Sequence, residues 1–247
     1  MRVETLFSPG EIEEGLVKDR TVAVIDVLRA CTTIAFAMSH GCDRIIPVET
    51  VEAATKLASS LERKATLLGG EREGKRLDGF DLGNSPSEYT ADVVKGKTLI
   101  LTTSNGTRAI ALSQGAREIL IASFVNMNSV VRYIKDRCGE AVTLICAGEG
   151  NRFALEDAVC AGMLIDGIAS ACDCDLTDGS KAAQSLYKLY HDSLVDLLRA
   201  CQHGRYLTEL GFEGDLEICA QVDSLKVLPI VKDGRITTKK TRRRSSR

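Results

Sequence analysis

The side chains of this sequence that could do chemistry gather just after its short apolar runs. Asp26 and Arg29, with Thr32 and Thr33, follow the run from Thr21 to Ile25. Glu71 and Arg72 follow Ala65 to Gly70, and Thr103, Ser104, Asn105, Gly106 and Thr107 follow Lys97 to Thr102. Gly148 and Glu149 follow Ala141 to Cys146. An acid at a strand tip is a ligand for Mg²⁺ or a nucleophile, and Arg29 offers a planar fork for phosphate or sulfonate oxygens. The same Asp–Arg pair could simply cap a helix. Ser104-Asn105-Gly106 ahead of a helix presents backbone amides that can converge on an anion, with the hydroxyls of Thr103, Ser104 and Thr107 as further donors. Ser and Asn are equally good caps for a helix that binds nothing.

The stretch 69–85 is rich in glycine and charge and has little apolar periodicity. Long ordered loops in compact domains are usually functional. Within it Glu71 and Asp81 suit Mg²⁺, which takes a few carboxylates plus water and substrate oxygens. Asn84 and Ser85 suit a substrate, and Glu73, Lys75 and Arg76 read as a solvated face. Glu156 and Asp157 open a helical segment, where they either reach the metal or answer the helix dipole. His203 precedes a helix and could protonate a leaving oxygen, whereas His40 and His191 read as structural. The Asp-x-Asp pattern of haloacid-type phosphatases is absent, because Leu28 stands at its second acidic position. Gly-Lys-Ser/Thr and G-x-G-x-x-G phosphate loops are absent too, which argues against a nucleotide-driven reaction.

The elements that must position these groups are strands and helices in alternation. Strands are expected over 21–26, 44–48, 65–68, 97–102, 118–122 and 141–146. Helices are expected over 30–39, 51–63, 106–114, 128–137 and 153–170. Continuous apolar strands alternating with helices indicate an α/β fold, with a mostly parallel sheet covered on both faces in three α/β/α layers, possibly as two lobes. Ligands then bind at the carboxyl ends of the strands, where the groups above collect. Beyond that series a long helix is expected over 180–200, a short one over 205–210, and a last strand over 226–231 whose Pro229 favours a sheet edge. The helix around Leu186 to Leu198 could pack inward or form a homodimer face. One domain over 1–236 and a basic, flexible tail over 237–247 complete the division.

Composition narrows the class. Of 247 residues, 44% are hydrophobic and 27% charged, which suits a globular core. The net charge of −2 gives no reason to expect a nucleic-acid partner. No apolar run approaches the ~20 residues of a membrane span, and the N-terminus lacks a secretory signal, so a cytoplasmic protein is expected. The nine cysteines are an odd set without zinc-site spacing, and reduced thiols are expected.

Several of these segments, taken in order, resemble the 2-phosphosulfolactate phosphatase family. They are Val24 to Ala30, Gly69 to Arg72, Gly79 to Pro86, Thr102 to Thr107 and Cys146 to Glu149. Leu155 to Asp157 with Cys160 to Gly162, and Gly211-Phe212 with Cys219-Ala220, continue the set. The resemblance spans about residues 3–232. It implies an Mg²⁺-dependent phosphatase that releases phosphate from 2-phospho-3-sulfolactate, a step towards coenzyme M. Cys31 and Ser104 stand where the family pattern has threonine. The implied substrate is a small anionic phosphate ester, which a site of arginines, amides and metal would suit. Two other readings share these residues: a phosphatase for another small phosphorylated hydroxy acid, and a non-catalytic sensor of anionic metabolites.

Overall fold

Along strand 21–25, Ala23 and Ile25 belong to one buried apolar cluster while Val22 and Val24 belong to another. Successive strand side chains point to opposite faces, so a continuous apolar run means that both faces are covered. The computed structural model, which describes residues 1–13, 15–137 and 140–238, bears this out with helices on both faces of one large sheet.

Eleven strands are described: β1 (Arg2–Leu6), β2 (Thr21–Ile25), β3 (Arg44–Pro47), β4 (Thr66–Arg72), β5 (Lys75–Arg76), β6 (Thr98–Thr102), β7 (Glu118–Ala122), β8 (Val142–Cys146), β9 (Asp175–Leu176), β10 (Pro229–Lys232) and β11 (Arg235–Thr238). The helices are α1 (Ala30–Ser39), α2 (Val51–Ser59), α3 (Ala91–Val94), α4 (Gly106–Leu112), α5 (Met127–Lys135), α6 (Leu155–Ala169), α7 (Asp178–Tyr190), α8 (Leu194–Ala200), α9 (Gln202–Glu209) and α10 (Glu213–Cys219). The sheet order is β5-β4-β6-β3-β11-β10-β7-β2-β8-β1-β9. It holds two parallel blocks, β4-β6-β3 and β7-β2-β8-β1-β9. The antiparallel hairpin β10–β11 joins them, with Ile230 and Val231 opposite β7 and Ile236 opposite Ile45 of β3. Helix α1 lies where the blocks meet: Ile34, Ala35 and Met38 share a cluster with Val24 of β2, Ile45 of β3 and Leu99 of β6. This packing brings the loop after β2 and the loop after β6 together.

The hairpin turns on Asp233 and Gly234, both at positive φ (50° and 71°). Asp-Gly between paired strands is the strongest short-range hairpin signal, and it places Pro229 centrally. That corrects the expected sheet edge: Pro229 is the first residue of β10 and pairs only with Thr238, so its missing N–H interrupts no ladder towards β7. Thr237 and Thr238, expected in the tail, end β11; the rest of that tail lies outside the described residues. The long helix expected over 180–200 is two helices, α7 and α8, separated at His191-Asp192-Ser193, where Asp and Ser favour turns and caps over helix interior. Leu194, Leu197 and Leu198 are buried, while Leu189 stands 70% exposed. Cys172 is disulfide-bonded, which corrects the expectation of reduced thiols throughout; seven other described cysteines are free. Disulfides need Cα atoms within ~7 Å, a proximity that the fold sets and sequence spacing does not reveal. Gly162 lets α6 and α7 pack closely, since a methyl there would collide with the carbonyl oxygen of Ala183. No described helix is long and apolar enough to cross a membrane.

Ile236 is fully buried and forms the register pair between β11 and β3. Ile236→Ala is expected to lower unfolding free energy by about 2–5 kcal/mol, measured by chemical denaturation. A loss below about 1 kcal/mol would show that the hairpin does not hold the two blocks together.

Candidate active site

The loops after β2, β4, β5, β6 and β8 and the start of α9 surround a cavity of about 290 Å³, at the small end of ligand cavities (~300–1,000 Å³). Asp26, Arg29, Glu71, Asn84, Ser104, Asn105, Glu149 and His203 line it, as do Leu28, Glu73, Gly74, Thr103, Gly150 and Tyr206.

Asp26 directly follows β2 and is buried. Its Oδ1 accepts the amide of Ala30 at 3.0 Å, at the start of α1. A methyl on Gly106 would lie 2.6 Å from Asp26 Oδ2 and 2.5 Å from Ala30 Cβ, so only glycine lets α4 begin this close to the carboxylate. Glu71, near the end of β4, is equally buried. Its Oε1 accepts the Ser104 amide at 2.8 Å, and its Oε2 accepts the Gly74 amide at 2.9 Å and the Ser104 hydroxyl at 3.2 Å. Gly74 belongs to a two-residue turn between β4 and β5, with Glu73 at φ 52° and Gly74 at φ 72°. The Gly74 carbonyl accepts Arg29 Nη2 at 2.8 Å. Arg29 is buried, pairs through Nη1 with Asp215 Oδ2 at 2.7 Å, and lies 4.3 Å from the ring centroid of Phe212.

The charges here are unbalanced. Burial pushes the Asp26 carboxyl up to about 7; the Ala30 amide opposes this, Glu71 and Glu156 add repulsion, and Arg29 relieves some of it. Asp157 is likewise held well above the ordinary carboxylate range, by burial first and then by Asp26 and Glu156. Four carboxylates line the cavity (Asp26, Glu71, Glu73 and Glu149), against one arginine that already has an acidic partner. Among the described residues no three His, Cys, Asp or Glu side chains cluster tightly enough to cage a metal. Mg²⁺ asks for less, one or two carboxylates with other oxygens completing the shell. Asp26, Glu71 and the Asn84 Oδ1, which is buried without a hydrogen-bond partner, are hard oxygen donors of the type that suits it.

Of the residues expected from sequence, Asp26, Arg29, Glu71, Asn84, Thr103, Ser104, Asn105, Glu149 and His203 come together at this cavity. Glu156 lies behind it, with its Oε1 3.8 Å from His203 Nδ1. Others are placed elsewhere. Asp157 is bound by the amides of Val27 at 2.8 Å and Gly148 at 3.1 Å, so it ties the ends of β2 and β8 together. Asp81 pairs with Arg63 and accepts the Leu68 amide, outside the cavity lining. Arg72 follows Glu71 on the same strand and so points the other way; it holds the carbonyls of Glu71 and Glu49 and the Thr102 hydroxyl. Thr32 and Thr33 turn their hydroxyls to the carbonyls of Val27 and Asn84. Ser85 donates to Asp215. Thr103 and Thr107 cap each other's amides, so those two amides are not offered to an anion. Gly106 and Gly148 contribute backbone geometry, Gly148 through a φ of 63°.

Sequence reasoning singles out neither Asp215 nor Tyr206, and Phe212 only through the family resemblance; Glu73, expected on a solvated face, is exposed and also borders the cavity. Tyr206 Oη donates to the Glu73 carbonyl at 3.0 Å, closing α9 over the β4–β5 turn. The Glu73-Gly74 turn dipeptide and the helix signal around His203 were the available clues; nothing local marks Asp215.

Residues 6–234 match a family model described as 2-phosphosulpholactate phosphatase. A protein of Clostridium acetobutylicum named "Probable 2-phosphosulfolactate phosphatase" is 40% identical over 237 residues, covering 96% of this chain and 100% of that one. A protein of the same name from Caldanaerobacter subterraneus subsp. tengcongensis is 37% identical over 238 residues, covering 96% and 98%. Another, from Thermotoga petrophila, is 40% identical over 218 residues, covering 88% and 92%.

The raised Asp26 pKa makes a stability prediction. Its ordinary value is 3.8 and its folded value about 7. Between those limits the folded chain holds a proton that the unfolded chain has released. Stability contributed by the protonated form is therefore complete below pH about 4 and lost as pH rises through about 7. Asp26→Asn removes that dependence. With chelator present, the variant is expected to melt several degrees above the unsubstituted protein at pH 8, and the difference should vanish near pH 4. A variant less stable at pH 8 would contradict the assignment.

Proposed function

The chain belongs to the 2-phosphosulpholactate phosphatase family and is a phosphoric monoester hydrolase, and from that premise we propose that it hydrolyses 2-phospho-3-sulfolactate to 3-sulfolactate and inorganic phosphate with Mg²⁺ as cofactor. The observation that carries the cofactor is the charge of the cavity. An ester bearing phosphate, carboxylate and sulfonate meets four carboxylates, two of them (Asp26 and Glu71) buried, and one already paired arginine, a repulsion that a cation entering with it would relieve. Asp26, Glu71 and Asn84 are the residues that would hold it. When bound, Mg²⁺ supplies Lewis-acid neutralisation of phosphoryl oxygens.

The remaining roles fall to the chain itself. Arg29, fixed at the floor of the cavity, receives a phosphoryl oxygen and holds charge that grows during transfer. A water oxygen bonds to phosphorus while the bond from phosphorus to the C2 oxygen of the substrate breaks. That oxygen must gain a proton, and His203, on the cavity wall with Glu156 behind it, is the donor. One proton of the attacking water restores, through solvent, the proton that His203 gives up, and the other leaves on the phosphate. The Glu73-Gly74 turn, clasped by Tyr206, limits the entry of further water. A role on the way to coenzyme M and a cytoplasmic setting belong to the same proposal.

Phosphate release from 2-phosphosulfolactate, phospholactate and phosphoglycerate, with Mg²⁺ and with chelator, tests the reading. Metal-dependent release favouring the sulfonated ester is expected. Metal-dependent release favouring another ester would replace the substrate, and release that is indifferent to chelator would remove the cofactor. Binding without turnover would leave a sensor. His203→Ala is expected to lower kcat by about 10²–10⁴-fold, the range of general acid catalysis, and a loss under about 3-fold would take the proton donor away from His203.

A further inference from the structure

We infer that Asp215, on α10, is the positioning residue for Arg29 in the reaction proposed above, on which this inference rests. Its carboxylate is buried and fully engaged. One oxygen receives Arg29 Nη1 at 2.7 Å, and the other receives the Ser85 hydroxyl at 2.6 Å. Asp215 is thereby anchored from the opposite side to the guanidinium it holds. Phe212, one helical turn earlier, stacks under the same guanidinium at 4.3 Å.

Several things mark this arrangement as more than a buried ion pair. Arg29 is the arginine on the cavity lining, and Asp215 is absent from that lining. Asp215 therefore reaches the reaction through Arg29 and not by touching the ligand. The second arm of the fork, Nη2, is held by the Gly74 carbonyl at 2.8 Å, while the amide of the same Gly74 donates to Glu71 at 2.9 Å. One glycine thus links the anion-receiving guanidinium to a carboxylate of the cation-binding group. With both Nη arms held and one face against the Phe212 ring, the guanidinium is fixed in orientation, and its remaining N–H groups would serve the ligand. A fork held in advance loses less side-chain entropy on binding and meets developing charge without reorganising.

Asp215→Asn keeps the shape and the Ser85 partner but removes the charge that fixes Arg29. The test uses the full chain with Mg²⁺, well below its melting temperature. It measures kcat/KM for the best ester of the panel and, by calorimetry, the affinity and stoichiometry for inorganic phosphate. Asp215→Asn is expected to lower kcat/KM by about 10–100-fold and to weaken phosphate binding about 10-fold at unchanged stoichiometry. A merely structural residue would lower the stoichiometry, because less protein is folded, and leave the affinity as it was. Asp215→Asn placed on Arg29→Lys should cost less than about 3-fold beyond Arg29→Lys alone, since residues that act as a unit are not additive. Unchanged phosphate affinity, or fully additive losses, would overturn the inference. Should Asp215→Asn fail to fold, Ser85→Ala loosens Asp215 without stranding a charge; a 3–10-fold weaker phosphate affinity is then expected, and no change counts against the proposal. If the unsubstituted protein binds phosphate but hydrolyses no ester, the catalytic reading fails, while the affinity measurements still decide the role of Asp215.

Discussion

Burial of the carboxylates Asp26, Glu71 and Glu156 around one site is the constraint on which the rest of it depends. A buried carboxylate without a cation normally takes up a proton or is satisfied by several hydrogen bonds. Here backbone amides do part of that work: Ala30 for Asp26, and Ser104 and Gly74 for Glu71. Amides supply dipole without net charge, so they hold the oxygens in place while leaving the electrostatic demand for a cation intact. Arg29 meets little of that demand, because Asp215 has already claimed it. On the proposed reading, a cation meets that demand first and lets the anionic ester follow it.

The fold supports this by backbone approach more than by side-chain packing. Gly106 lets α4 start against Asp26, and Gly74 stands between Glu71 and Arg29 with its carbonyl and its amide both used. Asp157 draws the segments after β2 and β8 together through the amides of Val27 and Gly148. A carboxylate in that position behaves as a clamp, and its raised pKa reflects burial beside other acids.

How much of this was readable from sequence follows from locality. β2, β7 and α1 were legible because continuous apolar runs and helical spacing are properties of neighbours. β1 was missed because Arg2, Glu4 and Thr5 dilute its apolar signal, and it is a strand only through pairing with β8 and β9. β11 carried a usable sign in Asp233-Gly234 that went unread. At the site, strand tips pointed to the right region but not to the right faces. Arg72 adjoins Glu71 and was grouped with it, although strand alternation sends adjacent side chains to opposite sides. Asp81 shared the loop and not the cavity. Asp215 was invisible because its meaning is a hydrogen bond to a residue 186 positions away, and no periodicity encodes that.

The β10–β11 hairpin also bears on the order in which the chain is built. It is made from nearly the last described residues, yet it fills the place between β7 and β3 in the middle of the sheet. Until it emerges from the ribosome, those two strands are open edges of the kind that invite mispairing between chains. Pairings this distant in sequence close slowly, because loop entropy is lost before the bonds reward it. A nascent chain stalled or cut short before residue 229 would therefore present two unfinished half-sheets, and protection of those edges during synthesis falls to the surroundings until the final strands arrive.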